Sequence, residues 1–144
     1  MTSVNQWLAA EDQHAPLLLG FMLQKARDAF ATEDWNGLRQ SHFRVLISVP
    51  STGVSITELA ERVGMTKQGC GQFVSQLVDG GYLAIESDPA DRRIRIVVRT
   101  DAGRRMARDV RTRNLRIEQE WEQIVGPARY AVFRRVLQDL AEAE

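Results

Sequence analysis

Hydrophobic side chains recur every three or four positions over most of the 144-residue chain, which predicts a mainly helical protein. The first helical segment covers residues 16–31, with a proline at its first position. A second covers residues 41–49, with Ser41 as its cap and a proline after its end. Towards the carboxyl end, residues 101–125 predict a long helix, and residues 128–141 predict a last one.

Between these segments, two short amphipathic stretches are separated by a glycine. Ser55 and Glu58 form the S-x-x-E pattern of a capping box, which predicts a helix start. Gly64 fits the left-handed conformation that ends helices, and Thr66 can cap the next helix. The apolar stripe of that next helix comprises Cys70, Phe73, Val74, Leu77 and Val78. Two short helices joined by a tight turn predict a helix-turn-helix.

Alternating apolar and polar side chains follow the helix-turn-helix and predict a β-hairpin. The residues between Ser87 and Asp91 supply the turn. We expect one apolar face of the hairpin to pack against the helices, comprising Leu83, Ile85, Ile94, Ile96 and Val98. A helix-turn-helix followed by such a hairpin is a winged helix, so the predicted fold class is mainly α, an α+β winged helix with additional helices at both ends.

The net charge is zero, but the charges are unevenly distributed along the chain. Residues 62–113 carry 11 basic and 6 acidic side chains, whereas both flanking regions carry an acidic excess. Of the 19 basic residues, 17 are arginine. Arginine suits bidentate recognition of phosphate and guanine, but the same bias is typical of a GC-rich coding sequence. Composition alone therefore leaves both explanations open.

Several function classes are not supported by the sequence. The single cysteine, Cys70, cannot form an internal disulfide, and two histidines are too few for a His/Cys zinc site. A Gly-rich phosphate loop and a catalytic triad pattern are both missing, so we expect neither an enzyme nor a cofactor. No apolar run approaches the ~20 residues of a membrane-spanning helix, and the first residues lack a signal-peptide pattern. We expect a cytoplasmic protein without a membrane partner.

Two segments resemble the MarR family of transcriptional regulators: ITELAERVGMTKQGCGQFVSQLVDGGYL and DPADRRIRIVVRTDAGRRM. In the second segment, residues 91–93 match the wing of the family, and residues 100–103 match the start of its long helix. Arg99 stands where the family usually has leucine. The resemblance implies a dimeric winged-helix repressor or activator whose affinity for DNA changes with a small phenolic or lipophilic ligand, or with cysteine oxidation.

On this interpretation the chain is a single MarR-like domain over residues 1–144. Residues 16–40 and 101–144 form dimerisation helices, and residues 41–100 form the DNA-binding winged helix. The terminal helices carry more apolar surface than one small winged helix can cover, which predicts a two-fold symmetric homodimer. The expected function is that of a ligand-responsive repressor on a pseudo-palindromic operator. The alternative is a winged-helix module for protein interaction, or an antagonist without its own operator.

The expected site for double-stranded DNA has two parts. The recognition helix would offer its polar face to the major groove, through Thr66, Lys67, Gln68, Gly71, Gln72, Ser75 and Gln76. The wing would contribute Arg92, Arg93 and Arg95, with Asp91 bracing the turn. The sequence leaves open which of Arg92 and Arg93 enters the minor groove and which pairs with Asp91. It also leaves open whether Arg95 and Arg99 contact phosphates or protect a strand edge.

A second site is expected for a small aromatic or lipophilic effector. It would lie between the dimerisation helices and the winged helix, lined by Phe21, Met22, Trp35, His42 and Phe43. Aromatic residues at helical spacing also form ordinary cores, so this alternative stays open. Cys70 lies on the apolar stripe of the recognition helix, where it is expected to be a buried core residue with a disfavoured thiolate.

Overall fold

The computed structural model describes residues 4–144. Short 3₁₀ helices at Val4–Gln6 and Ala10–Asp12 precede the regular elements. In chain order these are α1 (Ala15–Phe30), α2 (Gln40–Ser48), β1 (Val54–Ser55), α3 (Ile56–Val63), α4 (Lys67–Asp79), β2 (Leu83–Ser87), β3 (Arg95–Arg99), α5 (Asp101–Val125) and α6 (Pro127–Glu142). The strands form one antiparallel sheet in the order β1-β3-β2. The predicted winged-helix fold is confirmed.

The chain divides into two compact units. The first, Asp34–Thr112, contains α2, α3, α4, the sheet and the first half of α5, and is called the winged-helix unit below. The second, called the terminal unit, combines the described residues before Asp34 with Arg113–Glu144. The assignment of a dimerisation part and a DNA-binding part stays a prediction.

The winged-helix unit buries a contiguous apolar core between its three short helices and its sheet. Leucine and valine side chains from each helix and from the two long strands are almost completely buried, namely Val45, Leu46, Leu59, Val63, Val74, Leu77, Leu83 and Val97. Burying one such side chain contributes roughly 1.5–3 kcal/mol relative to leaving it in water. The core therefore fixes α4 against α2 and α3, with its polar face left outside.

Local capping chemistry places the ends of α3 and α4 where the sequence predicts them. The Ser55 hydroxyl accepts the amide N–H of Glu58 at 3.2 Å, and Gly64 adopts φ = 66° at the end of α3. Thr66 Oγ1 accepts the amide N–H of Gly69 at 3.0 Å at the start of α4. The capping box at Ser55 is only half formed, because the Glu58 carboxylate pairs with Arg62 one turn later.

The start of α2 differs from the prediction. Ser41 is not the cap, because the helix begins at Gln40 and Arg39 occupies the cap position. The imidazole Nδ1 of His42 accepts the amide N–H of Arg39 at 3.0 Å. A buried histidine therefore satisfies the amide of the residue that occupies the cap position, a contact that the sequence pattern did not predict.

The buried face of the hairpin is also different from the predicted one. Val97 is fully buried and pairs with Ile85 on one side and Val54 on the other, so these residues share one face of the sheet, on which Val54 and Val97 are buried and Ile85 is exposed. Ile96 and Val98 lie half-buried on the opposite face, beside Gly53. Ile94 precedes β3 and is exposed. The unpredicted two-residue strand β1 pairs with β3 and adds buried Val54 to the face that carries Val97.

Polar contacts in the terminal unit join α1 to α5 and α5 to α6. The Arg113 guanidinium donates to the carbonyl of Ala29 at 2.6 and 3.2 Å and lies 3.7 Å from the Glu33 carboxylate. The Tyr130 hydroxyl donates to Glu118 at 2.9 Å. None of the helices in the described part of the chain is both long enough and apolar enough to cross a membrane.

Candidate nucleic-acid interface

The polar face of α4 is a continuous surface of the winged-helix unit. Its inner side carries Cys70, Val74 and Leu77, which are buried in the core. Six of the seven residues predicted on the recognition helix are exposed on the outer side and Gly71 is half-buried, the exposed ones being Thr66, Lys67, Gln68, Gln72, Ser75 and Gln76. This face combines a lysine, three amide side chains and two hydroxyls, which are groups that donate to and accept from base edges and phosphates.

The two glycines in the first turns of α4 have different environments. A Cβ at Gly69 would lie 3.0 Å from Thr66 Oγ1, the atom that caps the helix, so glycine leaves room for this cap. A Cβ at Gly71 would meet nothing within 4 Å. Glycine costs roughly 1 kcal/mol relative to alanine inside a helix. Glycine at position 69 thus makes room for the cap, whereas at half-buried Gly71 the absence of a side chain leaves the helix backbone open to close approach.

Gln76 differs from the other predicted recognition residues because its side chain is already engaged. Its Oε1 lies 2.6 Å from Nε2 of His42, whose side chain is only 4% exposed. Because Nδ1 of His42 accepts the Arg39 amide, the ring proton is on Nε2 and is donated to Gln76. The oxygen of Gln76 is therefore used by the core, so the two-point adenine pairing expected of glutamine is blocked while this bond holds.

The tip of the hairpin assigns different environments to its two arginines. Asp91 accepts from Nε and Nη2 of Arg93 at 3.1 and 3.2 Å, and from its amide at 3.1 Å. These hydrogen bonds lower the pKa of the Asp91 carboxyl. Arg92 is exposed and makes no hydrogen bond or ion pair within the described residues 4–144. Arg93 thus braces the turn with Asp91, while the guanidinium of Arg92 is free to bind elsewhere.

The two arginines of β3 are not equivalent. Arg95, at the tip end of the strand, is exposed. Arg99 is half-buried on the same face as Val97, and its Nε is buried without a hydrogen-bond partner. Arg95 is therefore accessible to a phosphate, whereas the side chain of Arg99 is partly buried in the winged-helix unit.

The predicted effector pocket is not assembled within one unit. Trp35, His42 and Phe43 are buried in the winged-helix unit, where Trp35 and Phe43 pack edge to face at 5.2 Å between ring centroids. Phe21 and Met22 lie half-buried on α1 in the terminal unit. The pocket that would combine them stays a prediction.

Sequence reasoning missed an open groove of about 570 Å³ at the surface of the winged-helix unit. It lies between the segment that leads into α2 and the end of α4, and is lined by Asn36, Gly37, Leu38, Arg39, His42, Gln76, Gly80 and Tyr82. The turn residues Asn36-Gly37 and Gly80-Gly81 were visible as signals in the sequence, but nothing local indicated that the two turns would face each other.

Cys70 is completely buried, and burial raises the pKa of its thiol. A buried thiol with a raised pKa has little reactive thiolate, so the environment favours a structural role. Among the described residues, no group of three or more His, Cys, Asp or Glu side chains could hold a metal ion.

Comparison with known proteins points to one family. Residues 36–94 match the model of the MarR family. An uncharacterized protein of Mycobacterium tuberculosis, Rv2011c, is 24% identical over 125 residues, which cover 87% of this chain and 86% of that protein.

Solved structures show the same fold. A crystal structure of MarR superimposes with a TM-score of 0.82 at 22% identity and covers 94% of this chain and 93% of that one. CouR from Rhodococcus jostii RHA1, bound to p-coumaroyl-CoA, gives 0.70 at 23% identity and covers 90% of each chain. BpsR of Bordetella bronchiseptica, whose DNA binding is regulated by 6-hydroxynicotinic acid, gives 0.76 at 21% identity and covers 95% and 99%.

Proposed function

We propose that the protein is a sequence-specific DNA-binding transcriptional regulator of the MarR family, whose model matches residues 36–94 of the winged-helix unit. It acts as a ligand-responsive repressor and binds a pseudo-palindromic operator as a homodimer in the cytoplasm. On this proposal the protein catalyses no reaction, because regulation requires only binding.

The observation that carries the proposal is the pairing of two exposed surfaces in one unit. The outer face of α4 offers polar side chains for the major groove, which is about 12 Å wide and admits one helix. The hairpin offers Arg92 for the narrow minor groove, where negative potential is concentrated. Since Arg93 is held by Asp91, Arg92 is the arginine that we assign to DNA, with Arg95 on backbone phosphate.

The homodimer is supported by apolar side chains that the terminal unit leaves exposed. Ile124 near the end of α5 is 78% exposed, and Val132 and Leu140 on α6 are exposed as well. Large apolar side chains repeated along two consecutive helices are typical of an interface. A two-fold dimer would place two copies of α4 about one helical turn of DNA apart, ~34 Å, and thereby select paired half-sites.

The response to a ligand is supported by the neighbours. CouR binds p-coumaroyl-CoA and BpsR responds to 6-hydroxynicotinic acid, and both share this fold. By analogy, a small aromatic or lipophilic effector is proposed here, in the predicted pocket of Phe21, Met22, Trp35, His42 and Phe43.

The experiment is selection of bound fragments from randomised DNA, followed by measurement of affinity against salt concentration for the selected and a scrambled duplex. We expect a palindromic winner bound at least ~10³-fold more tightly than the scrambled duplex. A single unpaired half-site would contradict the dimeric reading. Equal and weak binding to both duplexes would overturn the proposal in favour of a module that interacts with another protein.

Arg92→Ala tests the wing assignment. We expect weaker binding to the selected duplex at every salt concentration, with a salt slope reduced by about one, because one phosphate-neighbouring cation is lost. Arg129→Ala, an exposed arginine of α6 in the terminal unit, is the matched control for net charge. If both variants weaken binding equally, Arg92 has no special role on DNA.

A further inference from the structure

His42 of α2 fixes the orientation of one exposed side chain of α4. Its imidazole is almost completely buried and has three contacts. Nδ1 accepts the amide N–H of Arg39 at 3.0 Å, Nε2 lies 2.6 Å from Oε1 of Gln76, and the ring packs edge to face on Phe73 at 5.0 Å between centroids. The last two contacts lie on α4, one helical turn apart. The ring therefore cannot turn without losing contacts at the start of α2 and on α4.

The position of the imidazole proton decides how the amide of Gln76 is oriented. A neutral imidazole has one donor nitrogen and one acceptor nitrogen. Nδ1 is the acceptor, because the backbone N–H of Arg39 can only donate. Nε2 therefore carries the proton, and its partner on Gln76 must be the amide oxygen. The contact with Arg39 thus holds the oxygen of Gln76 at the core and leaves the NH₂ group of this exposed side chain for an outside partner.

Gln72, one turn earlier on α4, provides the comparison within the same helix. Its side chain is exposed and makes no hydrogen bond within the described residues 4–144, so it offers both ends of its amide. Both ends are needed for the two-point pairing of glutamine with adenine. In the major groove guanine presents two acceptors, whereas adenine presents one acceptor and one donor. Because Gln76 can only donate, it favours guanine over adenine.

We propose that His42 is a positioning residue that sets the base preference of Gln76, so that Gln76 contacts guanine in each half-site of the operator. This inference rests on the proposed function, because it requires α4 in the major groove. His42 is buried and acts only through Gln76. Since the side chain of Gln76 is held before DNA binds, it loses little conformational freedom on binding, which favours affinity.

Operator selection with the wild type and with Gln76→Ala locates the base pair concerned. It is the pair in each half-site at which the variant no longer distinguishes bases. At this pair we expect the wild type to bind guanine about fivefold more tightly than adenine, which corresponds to roughly one hydrogen bond. Gln72→Ala is the matched control and should lose discrimination at a different pair. A wild-type preference for adenine at the Gln76 pair, or the absence of any such pair, would overturn the proposal.

Two substitutions of His42 separate its contact with Gln76 from its contact with Arg39. Asparagine can replace Nδ1 as the acceptor for Arg39 but is too short for Gln76, whereas glutamine can replace Nε2 as the donor. We expect His42→Asn to reduce the guanine preference to less than about twofold, because the released Gln76 can then pair with adenine. His42→Gln should keep the preference. Urea unfolding establishes that both variants are folded. An unchanged preference in folded His42→Asn, or equal losses in both variants, would contradict the positioning role.

Gln76→Glu tests the same contact without any change in the core. A carboxylate still accepts from Nε2 of His42, but its outer oxygen accepts where the NH₂ group of glutamine donates. Cytosine presents a donor in the major groove and is the base that glutamate contacts. The preferred base should therefore change from guanine to cytosine, with weaker binding overall because the new charge is repelled by phosphates. A retained preference for guanine would show that Gln76 is not the donor.

NMR spectroscopy distinguishes failure of this inference from failure of the proposed function. Long-range ¹H–¹⁵N correlations show which imidazole nitrogen carries the proton, and His42→Asn separates the signals of His42 from those of exposed His14. We expect a protonated Nε2 in the free protein. A protonated Nδ1 would overturn the inference even if an operator is selected. A protein with the expected proton position that selects no operator refutes the proposed function, and the guanine preference with it.

Discussion

The two units of the chain use apolar side chains in opposite ways. The winged-helix unit buries 17 of the apolar side chains that form the core of the described residues, whereas the terminal unit buries three, Phe30, Ile117 and Tyr130. Conversely, nine of the exposed large apolar side chains lie in the terminal unit, and three in the winged-helix unit. The first unit closes a core of its own. The terminal unit presents amphipathic helices whose apolar stripes are largely exposed.

The difference shows that the same helical spacing of apolar residues can belong either to a buried core or to an exposed surface. The stripe of α4 ends against a core within the same unit, while the stripe of α5 continues to exposed Ile124. Exposed apolar stripes of this size are typical of surfaces that associate with another chain. Stability of the winged-helix unit should therefore be independent of protein concentration, and that of the terminal unit should depend on it.

The largest effect is expected from the core of the winged-helix unit. Leu46→Ala removes a fully buried side chain of α2 and leaves a cavity, which should lower the free energy of unfolding by about 3 kcal/mol. The measurement is urea unfolding followed at two protein concentrations. Ile47→Ala, on the exposed side of the same helix, is the control and should change it by less than ~1 kcal/mol. Similar losses for both would contradict a core centred on Leu46.

The next effect concerns the apolar stripe of the terminal unit. Ile124→Asp introduces a charge where the proposed dimer would bury an isoleucine, so we expect the dimer dissociation constant to rise roughly 10- to 100-fold. Sedimentation equilibrium measures it. Gln123→Asp places the same charge on the adjacent exposed position and should leave association nearly unchanged. An unaltered dissociation constant for Ile124→Asp would place the interface elsewhere.

A smaller effect is expected at the one buried tyrosine of the terminal unit. Burial, together with the hydrogen bond to Glu118, raises the pKa of Tyr130 to about 12. In the unfolded chain the tyrosine hydroxyl ionises near pH 10. The stabilisation that corresponds to the raised pKa is therefore fully present below pH 10 and is lost as the pH rises to about 12. In urea unfolding, we expect the free energy of unfolding to fall over this interval by roughly 1–2 kcal/mol more than that of Tyr130→Phe. Parallel curves for the two proteins would show that Tyr130 does not carry the step.

Local signals predicted most of the fold, because helix ends depend on neighbouring residues. Helix α3 ends at Gly64 and helix α4 begins after Thr66, as the capping chemistry of these two residues predicts. The inner face of β3 could not be read from its sequence, since residues 96, 97 and 98 are all apolar and either face could be buried. The buried residue is Val97, which lies beside Val54 from a distant part of the chain.

The candidate site was predictable to the same degree. The outer face of α4 and the hairpin tip follow from periodicity and turn chemistry, although their contacts with DNA stay predictions. The hydrogen bond between His42 and Gln76 was out of reach, because it joins residues 34 positions apart through packing. The same is true of the open groove beside them, whose wall is formed by two separate turns.

Gly103 at the start of α5 sets a limit on how this sequence can vary. A Cβ at this position would collide with the backbone carbonyl of Tyr82, which accepts the amide N–H of Thr100 at 3.1 Å. The obstacle is main chain, so no change of rotamer can relieve it. In a saturation library we expect glycine alone to survive at position 103, even though the neighbouring exposed positions 104 and 105 tolerate many residues. The position of the Tyr82 backbone therefore depends on the absence of a side chain at Gly103.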